Sequence, residues 1–233
     1  MKPVTFILLY GLLFNSVFAQ KIIGKQLPFS PNQTVNLNFK YADTIQVEYW
    51  DKAEVSVRIE ALINQGKLNE VLVVETASDE KEVSVTTDFD KALFTQGREE
   101  DCPGPRSHLS YTGNGQKYYA CGTINYQVYL PKQAKLKIET VTGNITIRGA
   151  SGAVYAKAVI GFVDFSWPDT KGANLAIKTI RGEVYTDLDI DFKTKVKKDP
   201  NTGYALAGTV NGGGPEVYLE STVSDLFIRK QPN

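Results

Sequence analysis

The sequence predicts an all-β protein, with a β-solenoid or single-stranded β-helix-like C-terminal half and a β-sandwich-like N-terminal half. Three observations predict it. Apolar and polar residues alternate with period two along most of the chain, helix-period patterns are scarce, and a glycine-centred phrase recurs in the second half. "ETVTGNITIRG" at 139–149 returns as "ESTVSDLFIR" at 220–229, with Ser224 where Gly143 stood.

Residues 1–19 read as a signal peptide. Lys2 provides a positive start, Phe6 to Phe14 is mostly apolar, and Val17-Phe18-Ala19 ends on a small residue. The apolar run falls short of the roughly 20 residues a spanning helix needs. No cysteine follows it to carry a lipid, and no later run is long and apolar enough to span a bilayer. The expectation is an exported chain, periplasmic or at the cell surface, with no transmembrane segment in its mature part.

The remainder divides by texture at residue 132. In 20–132, Val35, Leu37 and Phe39 alternate with Asn36, Asn38 and Lys40. Ile45, Val47 and Tyr49 repeat the pattern, and so do Val55, Val57 and Ile59; each set should line one face of a strand. Trp50 to Ala53 reads as the turn between the second and third of these strands. Further strands are expected at Val71–Val74, Val83–Thr87 and Thr123–Leu130, the last halted by Pro131, which cannot donate to a ladder. Cys102 and Cys121 bracket a stretch rich in Gly, Pro, Ser, Asn and Tyr, and in an exported protein such a pair is expected to form a disulfide. Closing that loop contributes on the order of 3 kcal/mol. A redox or metal role lacks Cys-x-x-Cys spacing, and the chain has a single histidine, His108.

In 133–233, Thr140-Val-Thr-Gly143 is followed by Ile145 and Ile147, and Ala158-Val-Ile-Gly161 by Val163 and Phe165. Thr179-Ile-Arg-Gly182 is followed by Val184, and Thr209-Val-Asn-Gly212 by Val217 and Leu219. Successive glycines lie 18, 21 and 30 residues apart, the long interval being read as one rung with an inserted loop, "FKTKVKKDPNTGYA". An alignment through Gly203 competes, but "NTGYALA" lacks the Val or Ile of the other copies. A period near 20 residues marks stacked β-coils, because no copy can bury its own apolar face. Glycine suits the bend, since positive φ costs it nothing. The competing architecture is a sandwich with glycine turns, and 133–233 either forms its own unit or continues from 20–132. Arg229 to Asn233 reads as a polar cap over the last strand edge.

These residues resemble a known group. "INYQVYLPKQAKLKIETVTGNITI", "TVNGGGPEVYLE", "STVSDLFIRK" and the earlier "ADTIQVEYWDKAEVSVRIEA" are similar to an adhesin-like domain-of-unknown-function family of exported Bacteroidetes-type bacterial proteins, related to auto-transporter adhesin head domains. The resemblance runs from Thr34 to the end. It implies a β-solenoid-like exported protein with a suggestion of surface adhesion, and it carries over no catalytic residues. Ser224 and the Cys102–Cys121 loop depart from the family pattern.

Candidate chemistry is sparse. The 26 basic and 26 acidic residues balance, so nothing favours nucleic acid, and Lys193, Lys195, Lys197 and Lys198 read as a solvated loop. Asp187, Asp189 and Asp191 alternate in "DLDIDF" and would share a strand face. That row suits calcium or the acidic groups of a glycan-cleaving β-helix enzyme, against a plain solvated face with Leu188 and Ile190 turned inward. His108 is the sole imidazole, and no serine sits on a nucleophile elbow. Tyr111, Tyr118 and Tyr119 read as an exposed contact patch for a protein or glycan, whereas Tyr126 shares parity with Ile124 and Val128 and reads as core. The expected function is non-catalytic adhesion, envelope scaffolding or ligand display, with no cofactor and an unidentified envelope protein or glycan as partner. The alternative is a glycan-active enzyme or a calcium-dependent carbohydrate-binding module on the same scaffold.

Overall fold

The computed structural model describes residues 20–103, 109–193, 197–199 and 201–231. The signal peptide expected over 1–19, His108, Lys195 and the terminal 232–233 lie outside the described residues.

Strands are β1 (Lys21–Pro28), β2 (Thr34–Phe39), β3 (Tyr41–Trp50), β4 (Glu54–Ile63), β5 (Leu72–Ser78), β6 (Glu82–Phe89), β7 (Leu109–Gly113), β8 (Gln116–Ala120) and β9 (Gly122–Pro131). Then come β10 (Lys135–Arg148), β11 (Val154–Ile160), β12 (Val163–Trp167), β13 (Ala173–Thr179), β14 (Val184–Thr186), β15 (Asp191–Phe192), β16 (Tyr204–Val210), β17 (Glu216–Ser221) and β18 (Leu226–Lys230). Sixteen of them form one open sheet, and β7–β8 make a separate hairpin. Among the described residues a single short α-helix, α1 (Lys91–Phe94), is capped by the Asp90 carboxylate, which accepts from Leu93 N.

Strand β10 organises the large sheet because its two halves belong to different rows. Lys135–Glu139 lies parallel between β2 and β11, while Asn144–Arg148 runs parallel to β3 and its Ile145–Ile147 segment to β12. One wing therefore runs β5-β6-β2-β10-β11-β17-β13-β16-β15, and the other β1-β4-β9-β3-β10-β12-β18-β14. Burial parity switches at the bend. Leu136, Ile138 and Thr140 are buried in the first half of β10, and Ile145 and Ile147 in the second, so both wings turn apolar side chains to one shared core. The same five-residue step separates Ala158 from Val163 and Ser221 from Leu226. Strands from both sides of residue 132 join this sheet, with β2 and β3 parallel to β10.

One expectation about order is corrected. The closing phrase does not close the stack, since β17 pairs with β11 on one side and β13 on the other, and β18 likewise lies between β12 and β14. Arg229 and Lys230 therefore continue an interior strand that pairs with Ser166 and Trp167 of β12, and do not cap an edge. The expected turn joins β3 and β4, and β9 lies between them, parallel to β3 and antiparallel to β4.

Candidate functional site

The recurrent glycines lie at the bend between wings, with one exception. Gly143 and Gly161 have φ of 140° and 139°, and a Cβ on Gly161 would stand 2.0 Å from the Gly143 carbonyl oxygen. Gly182 is required by proximity alone, since its Cβ would stand 2.0 Å from the Ser224 oxygen. Gly212 is off this row. It sits with Asn211 and Gly213 in the positive-φ turn joining β16 to β17, with open space around it. The last copy bends at Ser221–Ser224, where the single Ser221 hydroxyl proton is shared between the carbonyls of Gly161 (2.8 Å) and Ser224 (2.7 Å). Side-chain oxygens fix the same corner elsewhere: Asp43 accepts from Ile124 N, Asn144 from Phe162 N and Asp225 from Glu183 N.

Cys102 and Cys121 are disulfide-bonded, with Cα atoms 5.7 Å apart. Buried Asn64 clamps the bridge, its Oδ1 accepting from Cys121 N at 2.9 Å and its Nδ2 donating to the Tyr119 carbonyl at 3.0 Å. Within the bridged loop the tyrosines are not one exposed patch. Tyr111 is exposed, Tyr119 is half-buried under Lys117, and Tyr118 is only 7% exposed. Tyr118 shares parity with buried Ala120 in β8, and its ring stacks on Tyr111 at 6.4 Å with Arg98 over it.

The aspartate row is not a continuous strand, because β15 begins only at Asp191. Leu188 is nevertheless buried and the three aspartates are exposed. Asp187 accepts from Lys230 N at 2.6 Å, while Asp189 and Asp191 border an open depression with Thr209 and Asn211. Among the described residues no three His, Cys, Asp or Glu side chains are grouped to hold a metal ion. The inserted loop folds back on the bend, where Lys198 and the Tyr204 hydroxyl both bond Glu183. Those two bonds, Lys198's first, hold the Glu183 carboxyl below its ordinary pKa.

The outward faces carry the remaining polar chemistry. On the first wing, Glu139, Lys157, Glu220 and Lys178 fall in one row across β10, β11, β17 and β13. Lys157 and Lys178 approach Glu220 at 3.6 and 3.5 Å, and the Tyr218 hydroxyl donates to it. Burial pushes the Glu220 carboxyl up, but Tyr218 and the two ammonium groups outweigh it and hold the carboxyl below its usual value. Burial, followed by the bond to Glu220, raises the Tyr218 phenol. Tyr155 and Tyr218 stack at 4.8 Å in the adjoining row.

On the second wing the neighbouring rows are Arg58, Gln127, Gln46 and Thr146, continued by Asp164, Phe227 and Tyr185. Asp164 takes Arg229 at 3.0 Å and Arg148 at 4.0 Å, and exposed Tyr185 stacks on Phe227 at 5.3 Å. At the other end a depression of about 460 Å³ opens over β4, β9 and β3. Sequence reading missed it, although Gln46 and Gln127 are visible as the outward members of their alternations.

No helix among the described residues is long and apolar enough to cross a membrane. No protein-family model and no curated protein matches the sequence. Among solved structures, the chain is similar in fold to a "putative cell adhesion protein" from Clostridium sporogenes. That likeness has a TM-score of 0.53 at 10% identity and covers 91% of this chain and 100% of the other. A "putative adhesin" from Bacteroides fragilis aligns at a TM-score of 0.34 and 8% identity over 91% of this chain and 98% of its own. The chain is thus an all-β protein whose fold likeness lies with a protein named for cell adhesion.

Proposed function

We propose that the protein is an exported, non-catalytic adhesin-like β-repeat protein that binds an envelope protein or glycan at the bacterial cell surface or in the periplasm. The observation that carries this reading is the fold likeness to the Clostridium protein, which spans nearly the whole chain. The disulfide fits an oxidising compartment, and the signal-peptide pattern of residues 1–19 fits export. The finer fold reading is a β-solenoid in one continuous domain. Equivalent positions Leu136, Val154, Val217 and Leu175 line up in register across four strands of one wing. Ile145, Val163, Leu226 and Val184 do so on the other. In this reading the repeats build the scaffold, and the outward non-repeating residues bind.

The test is fractionation of cells expressing the chain with its leader, followed by attachment of those cells to surfaces coated with envelope proteins or glycans. Protease-accessible or periplasmic protein and expression-dependent attachment are expected. Retention in the cytoplasm, or attachment indifferent to expression, would refute the reading.

A further inference from the structure

We propose that the depression over β4, β9 and β3 binds a neutral, hydroxyl-rich saccharide, with the Tyr129 ring as stacking platform and the Gln46 and Gln127 amides as hydrogen-bonding groups. This rests on the binding-protein reading above and adds the site and the ligand class.

The lining has the chemistry for that ligand and for few others. Gln46 and Gln127 are direct cross-strand partners, and neither amide is bonded to another described residue. Each amide offers two donors and an acceptor, which suits hydroxyls that both give and take hydrogen bonds. Beside them the Thr44 hydroxyl donates to Asn125 Oδ1 at 2.7 Å, leaving the Asn125 amide hydrogens to point elsewhere. Arg58 and Glu60 are paired with each other, so the charged groups of the lining cancel. That balance disfavours a phosphate- or sulfate-bearing ligand, and the polar floor disfavours an apolar peptide.

The aromatic wall is held in place. Trp50 stacks on Tyr129 at 5.0 Å and 19°. Its indole N–H donates to the Glu54 carbonyl at 2.9 Å, and Lys52 sits over the indole at 4.5 Å. A braced ring that lines the depression offers an apolar surface to the C–H face of a sugar. All these groups stand on paired strands, so little ordering is needed on binding. The volume falls within the range typical of small-ligand sites.

The reporter is built in. The chain has two tryptophans; Trp167 is buried in the core, which leaves Trp50 to sense a ligand stacking on Tyr129. The folded chain from residue 20 onward is titrated with neutral gluco-, manno- and galacto-oligosaccharides and N-acetylglucosamine oligomers, with sulfated oligosaccharides alongside. Calorimetry and tryptophan emission are recorded together. Saturable binding of a neutral oligosaccharide with a shift in Trp50 emission is expected. The Gln46→Ala/Gln127→Ala double variant should lose affinity about tenfold or more at an unchanged melting temperature. Tyr129→Phe should retain binding and Tyr129→Ala should lose it. Binding that survives the double variant, preference for the sulfated series, or no binding across the panel overturns the proposal. Surface attachment that persists without saccharide binding sinks this inference and leaves the adhesin reading standing; loss of attachment as well removes both.

Discussion

The outward faces of the two wings share the same alternating pattern and use their polar groups differently. On the first, Glu220 is enclosed by Lys157, Lys178 and the Tyr218 hydroxyl, and Tyr155 covers the Tyr218 ring. The Glu220 carboxylate there is committed to lysines of the two flanking strands and to Tyr218 of its own strand. On the second, Gln46 and Gln127 stand unbonded beside a braced aromatic pair. Polarity alone does not mark a binding face; uncommitted polarity held on rigid strands does.

The largest effect belongs to the bend that both faces depend on. Gly161→Ala places a Cβ against the Gly143 carbonyl at a φ of 139°, which costs at least about 3 kcal/mol by denaturant unfolding. A loss below 1 kcal/mol would show that the bend can relax and is not the shared constraint.

Next comes the committed face. Glu220→Ala leaves the Tyr218 hydroxyl without its acceptor and two lysines without their counter-charge, and should cost about 2 kcal/mol. The lysines are themselves about a third to a half exposed and can turn to water, which keeps the figure below that of a fully buried pair.

Acid should sharpen the same contrast. The folded state holds the Glu220 carboxyl below its ordinary value of 4.5, so its contribution is full above that pH and fades as pH falls through the lower folded value. The melting temperature of the parent should therefore converge on that of Glu220→Gln below pH 4.5. A gap that stays constant into acid would mean the carboxylate charge contributes nothing there.

The smallest effect is expected on the uncommitted face. Gln46→Ala with Gln127→Ala should change stability by no more than about 0.5 kcal/mol, since Gln46 is exposed, Gln127 is half-buried and neither amide is hydrogen-bonded to a described residue. A larger destabilisation would place these amides in the scaffold and erase the distinction between the faces.

Much of the fold was legible because burial is written with period two. Val35, Leu37, Phe39, Ile45, Val47, Ile145 and Ile147 are all buried as their alternation requires. Strand order was not legible, since it depends on partners far apart in sequence. Its only local trace is charge: with β17 inserted, Glu220 separates Lys157 from Lys178, which direct pairing of β11 with β13 in the same register would bring face to face. Gly212 misled because "TVNG" imitates "TVTG", while the true bend of the last copy has Ser224 in the glycine position, with the Ser221 hydroxyl bonded to its carbonyl. Tyr118 misled because the loop was read as irregular. Asn114-Gly115, both at positive φ, is the two-residue hairpin signal that would have set its parity. The candidate site was half visible: alternation turns Gln46 and Gln127 outward, but only the β3–β9 register sets them side by side.

The insertion of β17 and β18 also sets a schedule. Among the described residues, strands β13 and β14 pair only with β16, β17 and β18, all of which come later in the chain. In a polypeptide delivered from its N-terminal end, Leu175 and Ile177 have no neighbouring strand until residues 204–230 have arrived. Contacts that span such separations form slowly, and an unpaired apolar strand invites wrong partners while it waits. The distal third of the molecule thus stays unlatched until its last strands emerge.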